Sequence, residues 1–183
     1  MVSNFLYAAL LRDPDFVGTI PDNAANIVPL AIKLRNIALY NDCIIHLLGP
    51  WRQPRFTLLE DKELKKLASN AYAKLALQIF KADAKVHLYF CHSADRCREL
   101  RDKAKTTSIK FRKFICQPLY YHKLYNSGPF DRILYETIAP LLKNNLLLDG
   151  GGSSIGDGIY DDFFLCAAIE YEDLPWDITE IDW

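Results

Sequence analysis

The 183 residues carry 22 Lys and Arg against 23 Asp and Glu, and half of them are hydrophobic. That composition excludes a disordered chain, which cannot bury enough apolar surface, and five cysteines are too few and too uneven for a disulfide-stapled miniprotein. No apolar run approaches the roughly 18–20 residues that span a bilayer. The formal net charge of −1 hides a division. Residues 1–148 hold all 22 bases and 13 acids, which is +9, while residues 149–183 hold 10 acids and no base, which is −10. Two oppositely charged parts in one chain point to association of one with the other, or to two different partners.

In chain order, Ser3-Asn4-Phe5-Leu6-Tyr7-Ala8-Ala9-Leu10-Leu11 reads as a short capped helix closed by Arg12-Asp13-Pro14-Asp15. It lacks the basic n-region and small-residue cleavage site of a signal peptide. Gly18–Asn26 reads as a turn-rich linker. A helix is predicted to start near Asn26, with Pro29 in its first turn, and to run to Gly49-Pro50 on the spacing of Leu30, Leu34, Ile37, Tyr40, Ile44 and Leu47. Trp51–Asp61 is a loop. From Asp61 to about Thr106 there is neither Gly nor Pro, and Leu64, Leu67, Ala71, Leu75, Ile79, Ala82, Val86 and Tyr89–Phe90 mark one apolar face, so a long helix is expected, broken near Cys91–Cys97. A basic stretch follows, then a break at Asn126–Pro129 and a helix kinked or restarted at Pro140. After Gly150–Gly152 the character changes. Phe163–Tyr171 suits one short strand or helical turn, and Pro175 with the acids around it favours an extended end.

Chemistry-bearing residues are scattered. Cys91, His92, Cys97, Cys116 and His122 are ligand types zinc prefers, but no Cys-x2-Cys or His-x3–5-His pair occurs, so cysteines packing as small apolar residues is the stronger reading. None of His46, His87, His92 and His122 lies in a catalytic motif. Asp149–Gly158 lacks the Gly-Lys-Ser/Thr ending of a phosphate loop and is flanked by carboxylates, which oppose anion binding. No enzyme, cofactor or metal is expected.

Two features are candidates for binding. The segment Arg96–Lys113 carries eight bases (Arg96, Arg98, Arg101, Lys103, Lys105, Lys110, Arg112 and Lys113) and two acids. The acidic end carries Leu174, Trp176, Ile178, Ile181 and Trp183 among its carboxylates. Attraction to the basic body would place this end and its tryptophans would hold it. The expected architecture is therefore one all-α domain of about five or six helices, with a basic helical part (1–148) and an acidic aromatic strap (149–183) packed back on it.

Ile20–Trp51, Glu60–Ile79, Arg112–Asn126 and Gly158–Trp183 together resemble filamentous-fungal BTB (POZ) domain proteins, over nearly the whole chain. They resemble the region that follows the BTB domain in those proteins, Ser3–Phe16 being similar to that domain's last helix and exit; the rest of the BTB module is not in this sequence. The resemblance implies an intracellular, non-enzymatic protein–protein interaction or scaffold region, in cytoplasm or nucleus as the reduced cysteines also suggest, with substrate recognition for a ubiquitin-ligase adaptor as the finer expectation. The alternative from the residues themselves is a nucleic-acid-associated subunit that uses segment 96–113, with the acidic end as autoinhibitor.

Overall fold

Between Pro14 and Lys33 lie three prolines and a glycine, yet in the computed structural model this stretch is one helix, α1 (Pro14–Lys33). The structure describes residues 14–91, 98, 117–126, 132–148 and 160–179. The expected linker over Gly18–Asn26 and helix start near Asn26 are thus corrected. Ile20, Ala24, Val28 and Ala31 are buried at i, i+4, i+8 and i+11, one continuous stripe. Pro14 opens the helix, where a missing N–H is harmless. Pro21 and Pro29 stand off the stripe. Beside Pro21, Thr19 Oγ1 donates to the Phe16 carbonyl and Asn23 Nδ2 to the Thr19 carbonyl, at 2.7 and 3.1 Å. An interior proline costs about 3 kcal/mol; here burial of the stripe against the next helix offsets it.

The break comes at Arg35 and Asn36, beyond the buried stripe, and not within Gly18–Asn26 where the turn signals place it. The Asn36 N–H donates to the Ala31 carbonyl and the Arg35 N–H to that of Ile32, both at 3.0 Å, with Arg35 at φ 45°. This pair of bonds closes a helix through one left-handed residue, a position glycine usually fills. Asn36 then caps α2 (Ile37–Leu48), its Oδ1 accepting the Leu39 N–H at 2.8 Å. Every residue from Leu39 to Leu48 is buried, so α2 is the axis around which the other elements pack.

The Asp61 carboxylate caps α3 (Lys62–Cys91) by accepting the Leu64 N–H at 2.9 Å. Leu64, Ala68, Ala71, Leu75, Ile79, Ala82 and Val86 form its buried row. The expected break after Cys91 falls at the edge of the described residues. α4 (Gln117–Asn126) is tied to α3 through Asp83, which accepts from Gln117 Nε2 at 2.5 Å and from the Tyr121 hydroxyl. Burial, reinforced by Asp83, pushes the Tyr121 hydroxyl well above its ordinary range. α5 (Arg132–Ile138) tightens into a 3-10 turn, Ala139–Leu142, where Pro140 ends α-helical bonding. The protein is an all-α single domain, with five α-helices and no strand among the described residues. None of those helices is long and apolar enough to cross a membrane.

Candidate functional site

Residues 160–179 lie against α2 and α3. Phe164 and Leu165 are completely buried, and Cys166, Ala167 and Tyr160 nearly so. This part is neither helix nor sheet. It is extended, with a single antiparallel bridge between Phe163 and Pro50. The Phe164 N–H donates to the Gly49 carbonyl at 3.0 Å, and the Trp51 N–H to that of Asp162 at 3.1 Å. Gly49 is needed for this close approach, because a Cβ there would stand 2.8 Å from the Phe163 ring and 3.0 and 3.2 Å from the Ile45 and Phe164 carbonyls. Phe164 meets Trp51 edge-on, ring centroids 5.5 Å apart.

Two polar residues hold the other side. Asn145 uses its N–H for the Leu165 carbonyl at 3.0 Å, and its Nδ2 for the Cys166 and Ala167 carbonyls, each at 3.1 Å. Its own carbonyl accepts from Asn41 Nδ2 at 3.0 Å. The buried Asp42 carboxylate accepts the Leu147 and Leu148 N–H groups at 2.7 and 2.9 Å, and Asn41 Nδ2 at 3.1 Å. A buried carboxylate survives on such donors. Sequence reasoning passed over this pair. The signal was present, since Asn41-Asp42, with His46, interrupts the apolar run of Ile37–Leu48. Cys43 and Cys166 are buried free thiols. Burial pushes each up to about 12, helped at Cys43 by the Asp42 charge. An open groove of about 530 Å³ runs beside this segment, bordered by Ile37, Asn41, Lys143, Ala168 and Glu170.

Beyond Ala167 the chain rises to the surface. Leu174 is buried. Trp176 is partly buried and meets Tyr40 edge-on at 5.3 Å, while the Tyr40 hydroxyl donates to the Asp173 carbonyl at 3.0 Å. Lys74 Nζ reaches the Asp173 carboxylate at 2.8 and 2.9 Å, which raises the lysine above its ordinary range. Of the expected apolar anchors, Leu174 and Trp176 touch the body, Ile178 is 49% exposed, and Ile181 and Trp183 lie outside the described residues. Of the expected basic face, Arg98 is described and exposed; Arg96, Arg101, Lys103, Lys105, Lys110, Arg112 and Lys113 lie outside the described residues. Within the described region Lys74, on the middle of α3, pairs with the acidic end at Asp173, and the Arg35 charge also reaches Asp177.

The opposite face of α3 also stands out. Leu77, Phe80 and Leu88 are 54%, 63% and 57% exposed. With Ala73 and Ala84, also exposed, they recur at i, i+4, i+7, i+11 and i+15 on the side away from the buried row. Among the described residues no group of three or more His, Cys, Asp or Glu stands where it could hold a metal ion. No protein-family model, curated protein or solved structure matches the chain.

Proposed function

We propose that the protein is a non-enzymatic protein–protein interaction region of the kind that accompanies fungal BTB domains, presenting a rigid helical surface to another protein. The observation that supports this reading is the outer row of α3, where three large apolar side chains share one solvent-facing stripe. A helix in a monomer normally gives that face to polar residues, and clustered exposed apolar side chains mark contact surfaces. The same helix is firmly seated by seven buried residues on its other side, so the stripe is held in place before any partner arrives. Substrate recognition for a ubiquitin-ligase adaptor is the finer form of the reading and follows from the resemblance alone.

The experiment compares the native chain with Phe80→Asp, first showing that both melt alike, and then quantifies the proteins each captures. The reading predicts that Phe80→Asp loses a discrete set of partners. An identical set in both captures contradicts it.

A further inference from the structure

The charges around the outer row of α3 are not distributed evenly. At 100° per residue, Lys74, Lys81 and Lys85 fall together along one edge of the Ala73–Leu77–Phe80–Ala84–Leu88 stripe. Over the span Ala73–Leu88 the other edge carries Ala76 and His87. The nearest acid on that side, Asp83, is already engaged by Gln117 and Tyr121. Lys81 and Lys85 make no ion pair among the described residues. The stripe therefore has an apolar centre and a single cationic rail.

The first lysine of the rail already shows what it takes. Lys74 holds both oxygens of the Asp173 carboxylate, presented by a short turn whose neighbours Glu170 and Glu172 are also acidic. The carboxylate belongs to a segment that seats apolar side chains, Leu174 and Trp176, next to its charge. The two lysines further along repeat the arrangement without an occupant from the described residues.

From this geometry we infer that the outer face of α3 docks an amphipathic helix of a partner protein, whose apolar stripe covers Leu77, Phe80 and Leu88 and whose acidic flank lies along Lys81 and Lys85. This rests on the reading of the α3 face as a protein-contact surface and adds the chemistry of the partner. Helix-in-groove recognition reads anchors at i, i+3 or i+4 and i+7, the spacing this stripe offers. The carboxylates set orientation and speed of encounter, and the apolar anchors supply most of the affinity. A second copy of the chain fits less well: antiparallel α3 on α3 sets the lysine edge against its own like charges, and parallel α3 on α3 sets it against the edge of Ala76 and His87, where the acid Asp83 is already engaged.

The test uses the full chain and fluorescein-labelled peptides of about 18 residues, long enough to hold a helix when bound. One carries leucines at helical spacing with glutamates on one flank. A second replaces the glutamates by lysines, and a third scrambles the first. Binding of the glutamate peptide is expected, weakened about tenfold by the double variant Lys81→Glu/Lys85→Glu and about thirtyfold by Phe80→Asp, with the scrambled peptide inert. If the lysine-flanked peptide binds equally well and Phe80→Asp abolishes it, the contact face stands and the acidic partner is overturned. If sedimentation shows the chain dimerising through this face, with Phe80→Asp restoring the monomer, a second copy is the occupant and the inference is likewise overturned. If no peptide binds and Phe80→Asp captures the same partners as the native chain, the underlying reading fails with it.

Discussion

The two halves of the C-terminal segment share a chain and a strong negative charge, but they are held by different forces. Residues 160–167 are interior: Phe164, Leu165, Cys166 and Ala167 are buried, and the carbonyls of the last three are bonded by Asn145. Residues 168–179 are applied to the outside, through Leu174, Trp176 and one carboxylate. The acids responsible for the net charge of this region are mostly exposed, and only Asp173 among the carboxylates of 168–179 is buried. Charge therefore decorates the segment, and apolar burial with backbone hydrogen bonding anchors it. That ordering follows from magnitudes, since an exposed ion pair contributes about 0–1 kcal/mol and a buried aromatic side chain several times as much.

The sharpest way to break the inner half is Phe164→Ala, expected to cost about 3–5 kcal/mol in denaturant unfolding, because it empties a fully buried site. A loss under 1 kcal/mol would show that the inner half is not core. Next is Asp42→Ala, which strips the Leu147 and Leu148 N–H groups of their acceptor and is expected to cost about 3 kcal/mol. Asp42→Asn keeps one acceptor oxygen and should retain part of that.

The outer half should respond less. Trp176→Ala is expected to cost about 2 kcal/mol, less than a fully buried tryptophan would, since Trp176 keeps part of its surface in water and lies against Tyr40 along one edge. The two thiols sharpen the comparison by pH. Both sit above their unfolded value of 9.0, at about 12, so the unfolded chain gives up these protons first. Their contribution is fully present below about pH 9 and is lost as pH rises toward 12, at about 1.4 kcal/mol per thiol for each pH unit. Burial, followed by the Asp173 charge, shifts the Tyr40 hydroxyl in the same direction. The melting temperature should therefore be level between pH 7 and 8.5 and fall above pH 9, whereas a rise in that range would contradict buried thiols. Lys74→Ala should move unfolding least, by about 1 kcal/mol, because the lysine side chain is 54% exposed and the buried Asp173 carboxylate keeps the Glu170 N–H.

The sequence made α3 legible because its core row repeats at one spacing with no glycine or proline to confuse it. It misplaced α1, where prolines at off-stripe positions imitate a linker while Ile20, Ala24, Val28 and Ala31 carry the helical period beneath them. It also ran α2 through Arg35 and Asn36, since a left-handed arginine has no composition to announce it. In the C-terminal segment, Leu174 and Trp176 were legible as apolar residues among acids. The deeper anchoring was not, because Asn145 and Asp42 act through backbone groups more than a hundred residues apart in one case and about twenty in the other. Such pairings have no local pattern. The outer row of α3 was overlooked for a plainer reason: once one face of a helix is assigned to the core, apolar residues on the other are easily counted with it.

The most direct test compares thermal unfolding of the full chain with two shortened chains, one ending at Ile169 and one at Asp157. The account predicts that the chain ending at Ile169 keeps a single cooperative transition at a modestly lower temperature, while the chain ending at Asp157 loses cooperative unfolding because its core is open where Phe164 and Leu165 belonged. Equal melting of the two shortened chains would contradict it.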